Sequence, residues 1–134
     1  MKFFTEKELK ITNANPEVKQ NMFTLVDKIL DPLREKVGVI IVNSAYRTPE
    51  YNKSVGGVPN SQHTKGQAVD IVFKKYNIDE VFALIIREFD YDQVILENSD
   101  NGSRWIHVSY NRKGNRRQAL TAKKINGKWK YTPV

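Results

Sequence analysis

Apolar residues recur at helical spacing through Met22, Val26, Ile29, Leu30 and Leu33. This predicts an amphipathic helix that starts at Asn15-Pro16, a capping residue followed by proline at the first helical position, and runs to about Lys36. Gly38 ends it. Val39-Ile40-Ile41-Val42 is a short apolar, β-branched run and reads as a buried strand. Thr48-Pro49 starts a short helix to about Lys53, and Gly56-Gly57-Val58-Pro59-Asn60 reads as a loop. Upstream, Thr5 and Glu8 have the spacing of a capping box and predict a short first helix.

Alternation takes over from Gln67 to Phe73. Val69, Ile71 and Phe73 fall on one face, with Ala68, Asp70 and Val72 on the other. Asp70 therefore opposes a hydrophobic face and points to solvent or into a cleft. Asn77 to Arg87 is a second amphipathic helix, with Asn77 and Glu80 as a cap-like pair. Gln93 to Glu97 and Arg104 to Tyr110 read as strands joined by the polar loop Asn98 to Ser103. A hairpin centred near Asn101 pairs Glu97 with Trp105 and Ile95 with His107. Gln93, Ile95, Glu97, Trp105, His107 and Ser109 then share a face. Asn126-Gly127 marks a further hairpin turn. The pattern predicts one α+β domain over 1–134: a small, mainly antiparallel sheet with helices on one side and a cleft on the other.

Composition narrows the chemistry. The 134 residues hold 40% hydrophobic and 10% aromatic side chains, as a globular domain does, and no cysteine. A disulfide framework and a thiolate metal site are excluded. Neither a signal-peptide run at Met1 to Glu8 nor a window long enough for a membrane span is present in the sequence. The formal charge of +7 favours acidic partners: nucleic acid, anionic lipid or the phosphate-bearing polymers of a bacterial envelope. No recognition-helix or zinc-finger pattern supports nucleic acid. The basic residues Arg112, Lys113, Arg116, Arg117, Lys123, Lys124, Lys128 and Lys130 read as a solvated face that could attract an anionic cell-wall polymer.

Only two histidines occur. His63 lies in Ser61-Gln62-His63-Thr64-Lys65-Gly66-Gln67-Ala68-Val69-Asp70, and His107 in Trp105-Ile106-His107-Val108-Ser109. Two histidines and an aspartate make a plausible three-ligand zinc site. Three protein ligands leave one coordination position open, as in catalytic rather than structural zinc.

The run Ser61 to Asp70, preceded by Ser44-Ala45-Tyr46-Arg47-Thr48-Pro49 and Gly56-Gly57 and followed by Trp105-x-His107, resembles the zinc D-Ala-D-Ala carboxypeptidase family, peptidase M15. The likeness is to its small single-domain branch, which includes peptidoglycan-cutting phage endolysins, and it covers roughly residues 20 to 110. The resemblance implies His63, Asp70 and His107 as ligands of one zinc per chain, and Arg47 as the arginine on a substrate carbonyl or carboxylate. Many relatives carry a catalytic glutamate three residues before the last histidine; here that position is Arg104, which cannot act as a base. The stretch Tyr91 to Glu97 with Trp105 to Ser109 also resembles the zinc domain of hedgehog proteins. That likeness implies Glu97 as general base, with Asp92 and Asp100 as rivals. Ser61, Gln62 and Ser109 are candidates to orient the ligands, and Tyr46, Ser61, Gln62 and Trp105 to bind substrate.

The implied function is zinc-dependent hydrolysis of an amide in the peptide stem of peptidoglycan, by carboxypeptidase or endopeptidase action. Zinc would supply hydroxide at neutral pH and polarise the scissile carbonyl. A monomer made in the cytoplasm and acting on the cell wall is expected. The alternatives are a non-catalytic zinc module that binds a partner and a basic nucleic-acid-binding protein.

Overall fold

The computed structural model describes residues 1–134. It is an α+β fold in which six strands form one sheet. The predicted long helix is present but not uniform. Helix α1 spans Pro16–Leu25, five residues of π-helix follow at Val26–Leu30, and α2 spans Asp31–Val37. Pro32 is the physical reason. It has no N–H to donate and its ring would crowd the carbonyl of the preceding turn. A widened turn absorbs this, and the Asp31 N–H reaches back to the Val26 carbonyl. Val18, Met22, Leu25, Val26, Ile29, Leu30 and Leu33 still form one buried stripe.

The short helix expected after Thr5 is a correction. Only the threonine half of the capping box forms, with the Glu8 N–H donating to Thr5 Oγ1 at 3.1 Å. The chain makes a turn and leaves it at Lys10 with φ 64. Leu9 and Ile11 are fully buried on either side of that residue. Their burial outweighs the local signal to continue the helix.

Strand β1 is Ile40–Ser44, followed by α3 at Pro49–Ser54 with Thr48 as its cap. Next come β2 at Ala68–Phe73, α4 at Ile78–Glu88, β3 at Gln93–Asn98 and β4 at Arg104–Ser109. Strands β5 at Gln118–Ile125 and β6 at Lys128–Pro133 flank the Asn126-Gly127 turn. The sheet order is β1-β2-β4-β3-β5-β6. Every pairing is antiparallel except β3 with β5. The β3–β4 hairpin has the predicted register, Glu97 opposite Trp105 and Ile95 opposite His107.

The two faces of the sheet do different work. Val69, Ile71, Val94, Leu96, Ile106 and Val108 join α1, the π-turn, α2 and α4 in one apolar cluster. Burying each such side chain stabilises the fold by roughly 1.5–3 kcal/mol. The opposite face carries a small cluster of Ile95, Leu120, Ala122 and Trp129. Polar side chains of β2, β3 and β4 line a cleft beside it.

Candidate metal centre

His63 sits on a 3-10 turn, Gln62–Lys65, between α3 and β2. Ser61 Oγ accepts the His63 backbone N–H at 3.2 Å and so starts the turn. Gly66 closes it in the left-handed conformation, φ 71, where a Cβ would also come within 2.6 Å of the Val18 carbonyl. Only glycine suits both demands. His63 is 4% exposed. Its Nδ1 lies 2.8 Å from the Ala45 carbonyl. The Nδ1–H therefore donates there, which fixes the tautomer and leaves Nε2 free as a ligand.

Asp70 and His107 are direct partners across the β2–β4 ladder. Asp70 Oδ1 lies 3.0 Å from His107 Nδ1 and 3.4 Å from His63 Nε2. The two imidazoles meet edge to face with centroids 5.1 Å apart. One donor atom from each of His63, Asp70 and His107 can be chosen so that all lie within 4.8 Å of one another. Two imidazole nitrogens and one carboxylate oxygen on rigid elements fit a borderline divalent ion such as zinc.

Burial works against a charged Asp70, but the hydrogen-bonded His107 and the adjacent His63 ring outweigh it and hold the carboxyl below its usual range. Burial works against a charged His107 too, and Asp70 and then Glu97 more than reverse that, raising its pKa.

Around this trio lies a cleft of about 520 Å³. Arg47 enters it from the segment after β1. Its guanidinium is 3.8 Å from Asp70 Oδ2, while Nε donates to Ser44 Oγ at 3.1 Å and Nη1 to Asn52 Oδ1 at 3.2 Å. Asn52 is 1% exposed and donates its Nδ2–H to the Val58 carbonyl at 2.7 Å. It thereby joins Arg47 to the Gly56-Gly57-Val58 rim. Glu97 enters from β3. Burial pushes its carboxyl up to about 7; Asp70 adds to this, while His107 and Arg47 oppose it. Trp105, directly opposite Glu97, stacks edge to face on Trp129 at 5.8 Å. In the other direction Glu97 neighbours Ala122, which neighbours Tyr131. Trp129 and Tyr131 both line the cleft.

The rivals to Glu97 lie elsewhere in chemical terms. Asp92 is 1% exposed and fully engaged. It accepts from the Arg116 backbone N–H at 2.7 Å, from Arg116 Nη2 at 2.9 Å and from Gln62 Nε2 at 2.9 Å. Burial opposes its charge, yet these donors win and its pKa falls. Asp100 is exposed in the β3–β4 loop beside Ser99.

Several expected roles change. Tyr46 does not reach the cleft: it packs against the main core and lines a separate groove with Lys10 and Thr48. Its neighbour Arg47 does line the cleft. Ser109 shares the ligand face but ties β4 to β3, accepting the Gln93 N–H at 3.0 Å. Ser61 and Gln62 do line the cleft. The basic residues are exposed, apart from the half-buried Lys124, but three of them are also engaged with neighbours. Arg116 pairs with Asp92, Arg117 lies over the Tyr91 ring near Asp90, and Arg112 donates to Asn21. Asn52, Arg116, Trp129 and Tyr131 were not anticipated. Alternation within β6 puts Trp129 and Tyr131 on one side, but nothing local says that β5 joins β3.

Helices behind a sheet and a two-histidine, one-aspartate group in a cleft on its open face define a metallopeptidase-like architecture. The sequence profile of peptidase M15 matches residues 2–109. The chain belongs to the peptidase M15 family, whose members are zinc-dependent peptidases. No individual curated protein matches it. No helix is long and apolar enough to cross a membrane.

Proposed function

We propose that the protein is a zinc peptidase that hydrolyses an amide bond in the peptide stem of bacterial peptidoglycan, as a carboxypeptidase or an endopeptidase. The observation that carries this reading is the convergence of Glu97 and Arg47 on the cleft that holds His63, Asp70 and His107.

His63, Asp70 and His107 would hold one zinc ion, which when bound supplies Lewis-acid polarisation of the scissile carbonyl and a water of lowered pKa. Glu97 is the general base. Its carboxyl, raised to about 7, suits a group that takes a proton from the attacking water and returns it to the leaving amine near neutral pH. Arg47, fixed by Ser44 and Asn52, holds the substrate carbonyl or a terminal carboxylate through its fork of donors. Ala45 fixes the His63 ring and Gly66 shapes its turn. The site of action would be the bacterial cell wall, and the working form a monomer.

The test is incubation of zinc-loaded and chelator-stripped protein with purified peptidoglycan and with a D-Ala-D-Ala-terminated stem peptide, read by mass spectrometry. Metal-dependent release of D-alanine, or of inner stem fragments, is expected. Intact substrates with one zinc bound per chain would sink the peptidase reading and leave a zinc-binding recognition module.

A further inference from the structure

The cleft contains a second arginine whose setting differs from that of Arg47. Arg116 lies beyond the residues matched by the family profile, 2–109, yet it lines the cleft. Its guanidinium is held from one side only. Nε lies 3.2 Å and Nη2 2.9 Å from Asp92 carboxylate oxygens, and Nη2 also reaches Gln62 Oε1 at 3.5 Å. Nη1 has no protein partner. The anchor is rigid, because Asp92 is 1% exposed and is also bound by Gln62 and by the Arg116 backbone. Gln62 is the residue next to His63, so the anchored fork stands beside the metal-ligand turn.

A tether alone would not need this orientation. The buried carboxylate consumes one edge of the planar fork and fixes the remaining edge, where a lysine would offer only a mobile point charge. The Arg116 side chain remains more than half exposed, so the free edge is accessible. The carboxylate between the two histidines, Asp70, is already committed to them. Neither it nor Glu97 is placed against Arg116 by a hydrogen bond or ion pair.

We infer that Arg116 forms a carboxylate-binding subsite of the cleft, which selects substrates carrying a branch carboxylate near the scissile amide. This rests on the peptidase reading for the substrate, but the subsite itself is defined by Asp92, Gln62 and Arg116. It supplies specificity from the segment after β4, while the family-matched residues supply the metal centre. Charge-assisted hydrogen bonds from a preorganised fork are roughly twice as strong as neutral ones. Converting the carboxylate to a carboxamide removes that advantage.

The decisive comparison uses the zinc-loaded protein with two stem peptides, identical except that one branch carboxylate is free or present as the carboxamide. Wild type should favour the free carboxylate by about tenfold or more in kcat/KM, mostly through KM. Arg116→Lys should lose most of that preference while its zinc content stays at the wild-type level. Binding of both peptides to Glu97→Gln, followed by tryptophan fluorescence from Trp105 and Trp129, gives a second readout without turnover. Equal use of both peptides by wild type would overturn the subsite and leave the peptidase reading intact. Preferential binding of the carboxylate form without cleavage by wild type would support the subsite and overturn the peptidase reading. Neither binding nor cleavage would overturn both.

Discussion

Arg104 grips Asp79 through two hydrogen bonds, at 2.6 and 3.0 Å, in the first turn of α4. Position 104 alternates with Trp105 and His107 along β4, so it belongs to the helix-bearing face of the sheet. The residue that departs from the pattern of many relatives is therefore outside the cleft. Arg104→Gln should leave hydrolysis within about twofold of wild type, since the loss is an exposed ion pair. Glu97→Gln should cut kcat by about 10²–10⁴-fold with zinc still bound, the usual worth of a positioned general base. Steady-state kinetics with metal analysis on both variants checks the assignment. A large loss in the arginine variant alone would reverse it.

Glu97 should also make the metal-free protein sensitive to alkali. Its folded-state pKa is about 7, against 4.5 for the free side chain. The folded protein thus holds this proton more tightly than the unfolded chain. The resulting stability is fully present below about pH 4.5 and is lost as pH rises through 7. Glu97→Gln stays neutral throughout. Chelator-stripped wild type should therefore fall behind that variant between pH 5 and pH 9, by at most about 3 kcal/mol. Urea melts at several pH values measure the gap, and a gap independent of pH would contradict the burial of this carboxyl.

Gly57 and Asn52 are packed with no room for a methyl group. A Cβ at position 57 would lie 2.0 Å from Asn52 Oδ1, the atom that accepts from Arg47. Gly57→Ala should cost about 1–3 kcal/mol of stability and should lower kcat/KM by loosening Arg47. Asn52→Ala in the same chain should relieve the clash without restoring the arginine. Denaturation and kinetics on the two singles and the double test this, and full activity in the Gly57→Ala protein would remove Asn52 from the account.

Asp92 offers a contrasting carboxylate. Its replacement by asparagine keeps the shape but removes the charge that faces Arg116, and one of the bound donors loses an acceptor. A loss of about 2–3 kcal/mol is expected. The effect should shrink as pH falls through the lowered pKa of Asp92, because wild type itself then becomes protonated. A thermal-melt series on both proteins shows whether the two curves converge in acid.

The fold was legible where local rules decide it. Period two and a polar loop were enough to pair Glu97 with Trp105 and Ile95 with His107, because one slip would turn every apolar residue to the wrong face. The metal trio was legible because its residues are few and their motif is long. Pro32 could have announced the π-turn, since a proline inside a helical pattern demands an adjustment. The Thr5 turn failed as a helix because burial of Leu9 and Ile11 outweighs a local cap. The parallel entry of β5 beside β3 could not be read locally. It depends on a sheet edge formed by residues about 25 positions earlier. Arg116, Trp129 and Tyr131 reach the cleft through that pairing, so they stayed hidden with it.

The ladder that sets Asp70 opposite His107 also makes the centre a lock on the fold. His63 joins the same point from a turn tethered to Ala45, so three stretches remote in sequence meet at one point. An ion held there would tie the β2–β4 seam to that turn. Each tenfold rise in free metal above its dissociation constant deepens the folded state by about 1.4 kcal/mol. Metal supply would thus set the depth of the folded state itself.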